Sequence, residues 1–115
     1  MRMLLVAIFC LNLAQTALAL GQTNLWEGWW VVLGSIRDDG GRAPHDAMER
    51  LRRKFAACGI EIFNDASAKF DGFSPGYLVA VVGAYRSKAS ARDALDEARA
   101  CDPAAYVKRA RYLGE

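Results

Sequence analysis

Apolar positions recur along this chain with two different periods, and the change from one period to the other happens twice in the same order. "WWVVLGSI" (29–36) is a β-branched and aromatic run that ends at the turn "DDGGRA", a pattern that predicts a strand. Beyond the turn, Met48, Leu51, Phe55 and Cys58 follow at spacings of three, four and three, which places them on one face of a helix. Pro44 suits the first turn of that helix and Gly59 its C-terminal cap. "IEIFND" predicts a short strand and "AKFDGFSPG" a loop. "YLVAVVGAY" predicts a third strand, after which Ser87 or Ser90 caps a second helix with the buried stripe Ala91, Ala94, Leu95, Ala98 and Cys101. Asp102-Pro103 stops that helix, and "AAYVKRA" predicts the last strand.

The two halves are copies of one plan. Laying "VVLGSIR" over "AVVGAYR" aligns Gly34 with Gly83, Ile36 with Tyr85 and Arg37 with Arg86. A βαβ unit used twice gives βαββαβ order, an α+β domain. Right-handed crossovers are expected to put both helices on one face of a four-stranded, antiparallel-leaning sheet, with the first and third strands adjacent and parallel at its centre. The helices then run side by side in the same direction, and their C-terminal ends, which carry Cys58 and Cys101, become neighbours.

Length leaves room for one domain in 115 residues, and the first stretch is set apart from it. Arg2, the apolar run Leu4 to Ala14 and the small-x-small site Ala17-Leu18-Ala19 form a secretory signal peptide, residues 1–19, too short in its apolar run to anchor a protein stably in a bilayer. Residues 20–28 then form an N-terminal extension and 29–112 the domain. Cleavage removes Arg2 and Cys10. A near-neutral mature chain does not suggest a nucleic-acid or membrane-surface binder, and "RLRRK" reads as the solvated face of a helix. Cys58 and Cys101 remain as an even pair, which an oxidising export compartment favours as a disulfide. Two sulfurs and the single His45 are too few for a metal site.

From about Trp29 to Arg109 the chain resembles a SPOR domain, the peptidoglycan-binding module of bacterial cell-division and envelope proteins. The resemblance rests on "WVVLGSI" in the first strand, "GYLVAVVGAYRSKASARDAL" in the third strand and second helix, and "AYVKR" in the last strand, in that order behind an export signal. It implies a ferredoxin-like domain in the periplasm. It also implies that the sheet face away from the helices binds glycan strands stripped of stem peptides, without catalysis and without a cofactor. The family's first-strand glutamine falls at Val32 and its serine at Ser35. The aromatic that opens the third strand falls at Tyr77, an arginine two residues on falls at Val79, and an apolar contact of the last strand falls near Val107. Two polar positions of the family are thus apolar here.

Strict alternation puts Val31, Leu33 and Ser35 toward the helices with Leu78, Ala80, Val82 and Ala84. Trp30, Val32, Gly34 and Ile36 then face outward with Tyr77, Val79, Val81, Gly83 and Tyr85, an apolar surface large enough to need an explanation. Three remain open. Trp30, Tyr77 and Tyr85 stack on sugars while Ser35, Arg86 or Lys108 supply hydrogen bonds; or the face binds an envelope protein or a second copy of the chain; or the segment carrying Trp26 and Trp29 folds back over it as core. The remaining polar groups suggest no active site. His45 has no orienting acid and nucleophile, Asp38-Asp39 lies in a Gly-rich turn, Asp46 and Glu49 offset a helix dipole, and Gly34 and Gly83 lack a nucleotide-loop context.

Overall fold

A computed structural model describes residues 26–114. The described residues form an α+β unit in the order β1 (Glu27–Arg37), α1 (Ala43–Ala57), β2 (Phe63–Ala66), a 3-10 turn (Ser67–Lys69), β3 (Phe70–Asp71), β4 (Tyr77–Tyr85), α2 (Arg92–Cys101) and β5 (Tyr106–Tyr112). The proposed signal peptide, 1–19, and most of the extension, 20–25, lie outside the described residues. No helix among the described residues is long and apolar enough to cross a membrane.

The sheet has five strands in the order β2-β4-β1-β5-β3, and every neighbouring pair is antiparallel. This corrects two expectations. The fifth strand comes from the predicted loop, where Phe70 and Asp71 pair with Tyr112 and Arg111. The first and third long strands are adjacent but antiparallel: the crossover through α1 relates β1 to β2, and β4 inserts between them, so it must run against both. Cys58 and Cys101 nevertheless form a disulfide, with Cα atoms 6.1 Å apart, one capping α1 and the other ending α2. Beside it Lys54 Nζ meets Asp102 Oδ2 at 3.0 Å, and the Asp102 carboxyl is held below its usual value by the Ala104 N–H and by Lys54.

α1 ends as its sequence dictates. Gly59 adopts φ +77°, its N–H donates to Ala56 O, and the Ile60 N–H donates to Phe55 O, the paired bonds of a Schellman termination. The start of α2 differs from expectation. Neither serine caps it; Ser87 and Ser90 instead accept each other's backbone N–H in a closed turn before the helix.

Two apolar cores lie on opposite faces of the sheet. On the helix side, Val31, Leu33, Leu78 and Ala80 pack with Met48 and Phe55 of α1 and Ala98 of α2. On the other side, Trp30, Val32, Val79, Val81, Ala84 and Ala110 pack with Phe70. The predicted alternation holds only in the middle of each strand. Comparing the two sides of the β1–β4 ladder, β1 carries an extra residue between Val32 and Gly34, and β4 carries one between Val82 and Tyr85. Each bulge exchanges the faces beyond it. Ser35 therefore turns away from the helices, and Ile36 and Gly34 turn toward them; a Cβ on Gly34 would lie 2.7 Å from Leu51 Cδ2. Likewise Ala84 joins the outer core and Tyr85 packs on the helix side, where burial and the Glu97 carboxylate raise its phenol above the ordinary value.

Candidate functional site

The outer face of the sheet is divided into a closed end and an open end. At the closed end Trp30 is only 4% exposed; its Nε1 donates to Ala110 O at 3.0 Å, and its ring meets Phe70 edge-on at 5.4 Å. Phe63, Phe70 and Tyr112 continue this aromatic packing. The cover is thus the segment from β2 through β3, not the one carrying Trp26 and Trp29. Trp29 packs on the helix side, and Trp26 stacks on Tyr112 at 5.4 Å while remaining 59% exposed.

Hydrogen bonds hold the covering segment in place. The Leu113 N–H donates to Lys69 O at 2.8 Å, and the Tyr112 hydroxyl donates to Asp65 Oδ2 at 2.5 Å. Burial raises the Asp65 carboxyl, but bonds from Tyr112, the Ala66 N–H and Lys69 outweigh it, so the group sits below its usual value. Buried Ser67 accepts the Tyr77 N–H at 3.0 Å, and the Asp38 N–H donates to Gly76 O at 2.9 Å. These two bonds fix where β4 begins and therefore where the Tyr77 ring stands.

The open end is a groove of about 310 Å³. Val32 and Val79, from the two central strands, line it along with Ser35 from the bulged end of β1. Phe73 and Ser74 contribute from the loop before β4, Tyr77 from its first residue, and Tyr106 and Lys108 from β5. The volume is at the lower end of small-molecule sites, about 300–1,000 Å³. Lys108 Nζ lies 5.8 Å from the centre of the Phe73 ring, within cation–π range. Among the described residues no carboxylate lines the groove. Three aromatic rings, two serine hydroxyls, two phenols and one ammonium make it a place for stacking and hydrogen bonding.

Of the glycan-binding residues expected from the sequence, Val32, Ser35, Tyr77 and Val79 come together here. Three do not. Trp30 is buried beneath the aromatic cover, and Tyr85 and Val107 pack on the helix side. Tyr85 is displaced by the bulge in β4. Val107 alternates with Tyr106 and Lys108, so it must face the other way once those two line the groove. Sequence reasoning missed Phe73, Ser74 and Tyr106. The strand period of "AYVKR" already placed Tyr106 with Lys108; Phe73 and Ser74 sit in a loop with no period to reveal them. Arg86, expected on the rim, is exposed but does not line the groove.

Among the described residues no cluster of histidine, cysteine and acidic side chains could hold a metal ion. No protein-family model matches the chain, and no curated protein and no solved structure matches it.

Proposed function

We propose that this protein is a SPOR-like, ferredoxin-like βαββαβ domain that binds peptidoglycan glycan strands in the bacterial periplasm, without catalysing a reaction on them. The observation that carries this reading is the groove. It gathers Phe73, Tyr77 and Tyr106 around an apolar floor and sets Ser35, Ser74 and Lys108 at hydrogen-bonding positions. Sugar rings present apolar faces that stack on aromatics and hydroxyl edges that need polar partners. Where the family's glutamine and arginine are absent, Ser74 from the neighbouring loop and Lys108 from β5 supply other polar groups. The β2-β4-β1-β5 order supports the topology, with β3 as an addition at the edge. The disulfide supports an oxidising compartment.

A second reading has a specific observation behind it. Trp26, Phe63 and Leu113 are 59%, 40% and 54% exposed, and both aromatics pack against Tyr112. Such a patch suits an envelope protein or a second copy of the chain.

The two readings separate in one experiment. The mature, oxidised protein is mixed with purified sacculi, untreated or treated with an amidase that removes stem peptides, and pelleted at several protein concentrations. The glycan reading predicts pelleting that rises with amidase treatment and falls at least tenfold in Tyr77→Ala. Pelleting indifferent to amidase and to Tyr77, with a concentration-dependent rise in molecular mass, would favour the interaction reading instead.

A further inference from the structure

A second groove, of about 300 Å³, lies between α2 and β5 and shares Tyr106 with the first. It carries three cations, Lys88, Arg92 and Arg99, against one carboxylate, Asp96, and all four side chains are exposed. Among the described residues, none of the three cations pairs with a carboxylate. The ion pairs among the described residues involve Arg52, Lys54, Lys69, Arg109 and Arg111 instead. Two of the three are nonetheless held in position: Arg99 Nε donates to Ala105 O at 2.9 Å, and Lys88 Nζ lies 5.9 Å from the centre of the Trp29 ring.

Topology joins the two grooves. β3 pairs with β5 only at Tyr112 and Arg111, so around Tyr106 β5 is the edge of the sheet. A chain that leaves the first groove past Tyr106 passes over a single strand and reaches Lys88, Arg92 and Arg99. The first groove offers it Lys108 and no acid. Both grooves therefore carry net positive charge although the chain as a whole is close to neutral.

The chemistry of the proposed ligand meets that charge. Hydrolysis of the amide between the lactyl group and the stem peptide adds water across the bond, leaving a carboxylate on the sugar and an amine on the released peptide. A stripped strand is thus a polyanion, with one carboxylate for every peptide removed. We infer that the groove between α2 and β5 is a second, anion-selective subsite, and that the ligand is a carboxylate-bearing glycan strand that crosses the sheet edge over Tyr106. This rests on the glycan reading and adds to it a polarity, a length and a second set of contacts.

The test uses the oxidised mature protein and stripped glycan fragments of increasing length, with binding measured by calorimetry at two salt concentrations. Wild type should bind fragments long enough to leave the first groove about tenfold more tightly than a single disaccharide, the scale of two or three exposed charge pairs. The gain should shrink as salt screens it, with a Debye length of about 10 Å at 0.1 M. Lys88→Glu/Arg92→Glu should lose the gain and keep the disaccharide affinity, and long fragments whose carboxylates have been converted to primary amides should bind wild type like the disaccharide. The double variant alters exposed side chains only, and its circular dichroism confirms that it is folded. A length gain that persists in the variant or with amidated fragments overturns the second subsite while leaving the first groove as a glycan site. Failure of every fragment to bind wild type removes the glycan reading and the inference with it.

Discussion

Trp30 separates a core residue from a ligand platform more sharply than any other position. It is 4% exposed, its indole N–H donates to Ala110 O, and its ring packs on Phe70 and Phe63. Removing a buried tryptophan costs about 3–5 kcal/mol, a large share of the roughly 5–15 kcal/mol that holds a domain together. Trp30→Ala should therefore be marginally folded. Trp30→Phe keeps most of the ring and drops the donor, losing one buried hydrogen bond worth about 0.5–1.5 kcal/mol. Trp26 is the internal control: 59% exposed and held mainly by stacking on Tyr112, it should cost about 1 kcal/mol or less when changed to Ala. The assay is urea unfolding of the oxidised protein, residues 20–115, followed by far-ultraviolet circular dichroism, a signal dominated by the backbone and not by the indoles being replaced. Sacculus pelleting of the folded Trp30→Phe variant is measured alongside. The expected result is a lower unfolding midpoint with pelleting intact. A Trp30→Phe protein of wild-type stability that no longer pellets would refute the reasoning, because it would place the indole against the ligand and not beneath the aromatic cover.

Reducing the Cys58–Cys101 bridge, or replacing both residues with Ala, releases a loop with a sequence separation of 43 and should lower stability by about 4 kcal/mol in the chain-entropy model, read as a shift in urea midpoint. Asp65 has a lowered pKa, so the stability it contributes is fully present above its unfolded value of 3.8 and is lost as pH falls through the lower folded value. Asp65→Asn should accordingly flatten the acid limb of the stability–pH curve below about pH 4, and an unchanged limb would mean the Tyr112–Asp65 bond contributes nothing. Gly28→Ala places a Cβ 2.3 Å from Tyr85 O, a backbone atom that cannot swing aside, and should destabilise by about 1–3 kcal/mol by thermal melt.

The sequence carried the elements better than their arrangement. Both helices, the four main strands and the Cys58–Cys101 pair follow from period, turn residues and cysteine parity, because these are local or pairwise signals. Strand direction does not, since the pattern of "YLVAVVGAY" is the same whether it runs with β1 or against it. Only the insertion of β4 between β1 and β2 decides. The two bulges had no local signature beyond Gly34 and Gly83, yet they move Ser35 onto the outer face, into the groove, and Tyr85 off that face. The site was legible to the same degree. Val32, Tyr77 and Val79 follow from alternation within unbulged stretches. Trp30 was drawn outward by the same rule, and it does lie on the outer face. What alternation cannot register is that Phe63 and Phe70, from a segment read largely as loop, close over it.

The most direct test of the groove is chemical-shift mapping of the uniformly ¹⁵N-labelled, oxidised protein titrated with a stripped glycan disaccharide. The account predicts saturable backbone shifts centred on Val32, Ser35, Ser74, Tyr77, Tyr106 and Lys108, with the aromatic patch of Trp26 and Phe63 unmoved. Shifts centred on Trp26, Phe63 and Leu113 with the groove silent, or no shift at any concentration, would contradict it.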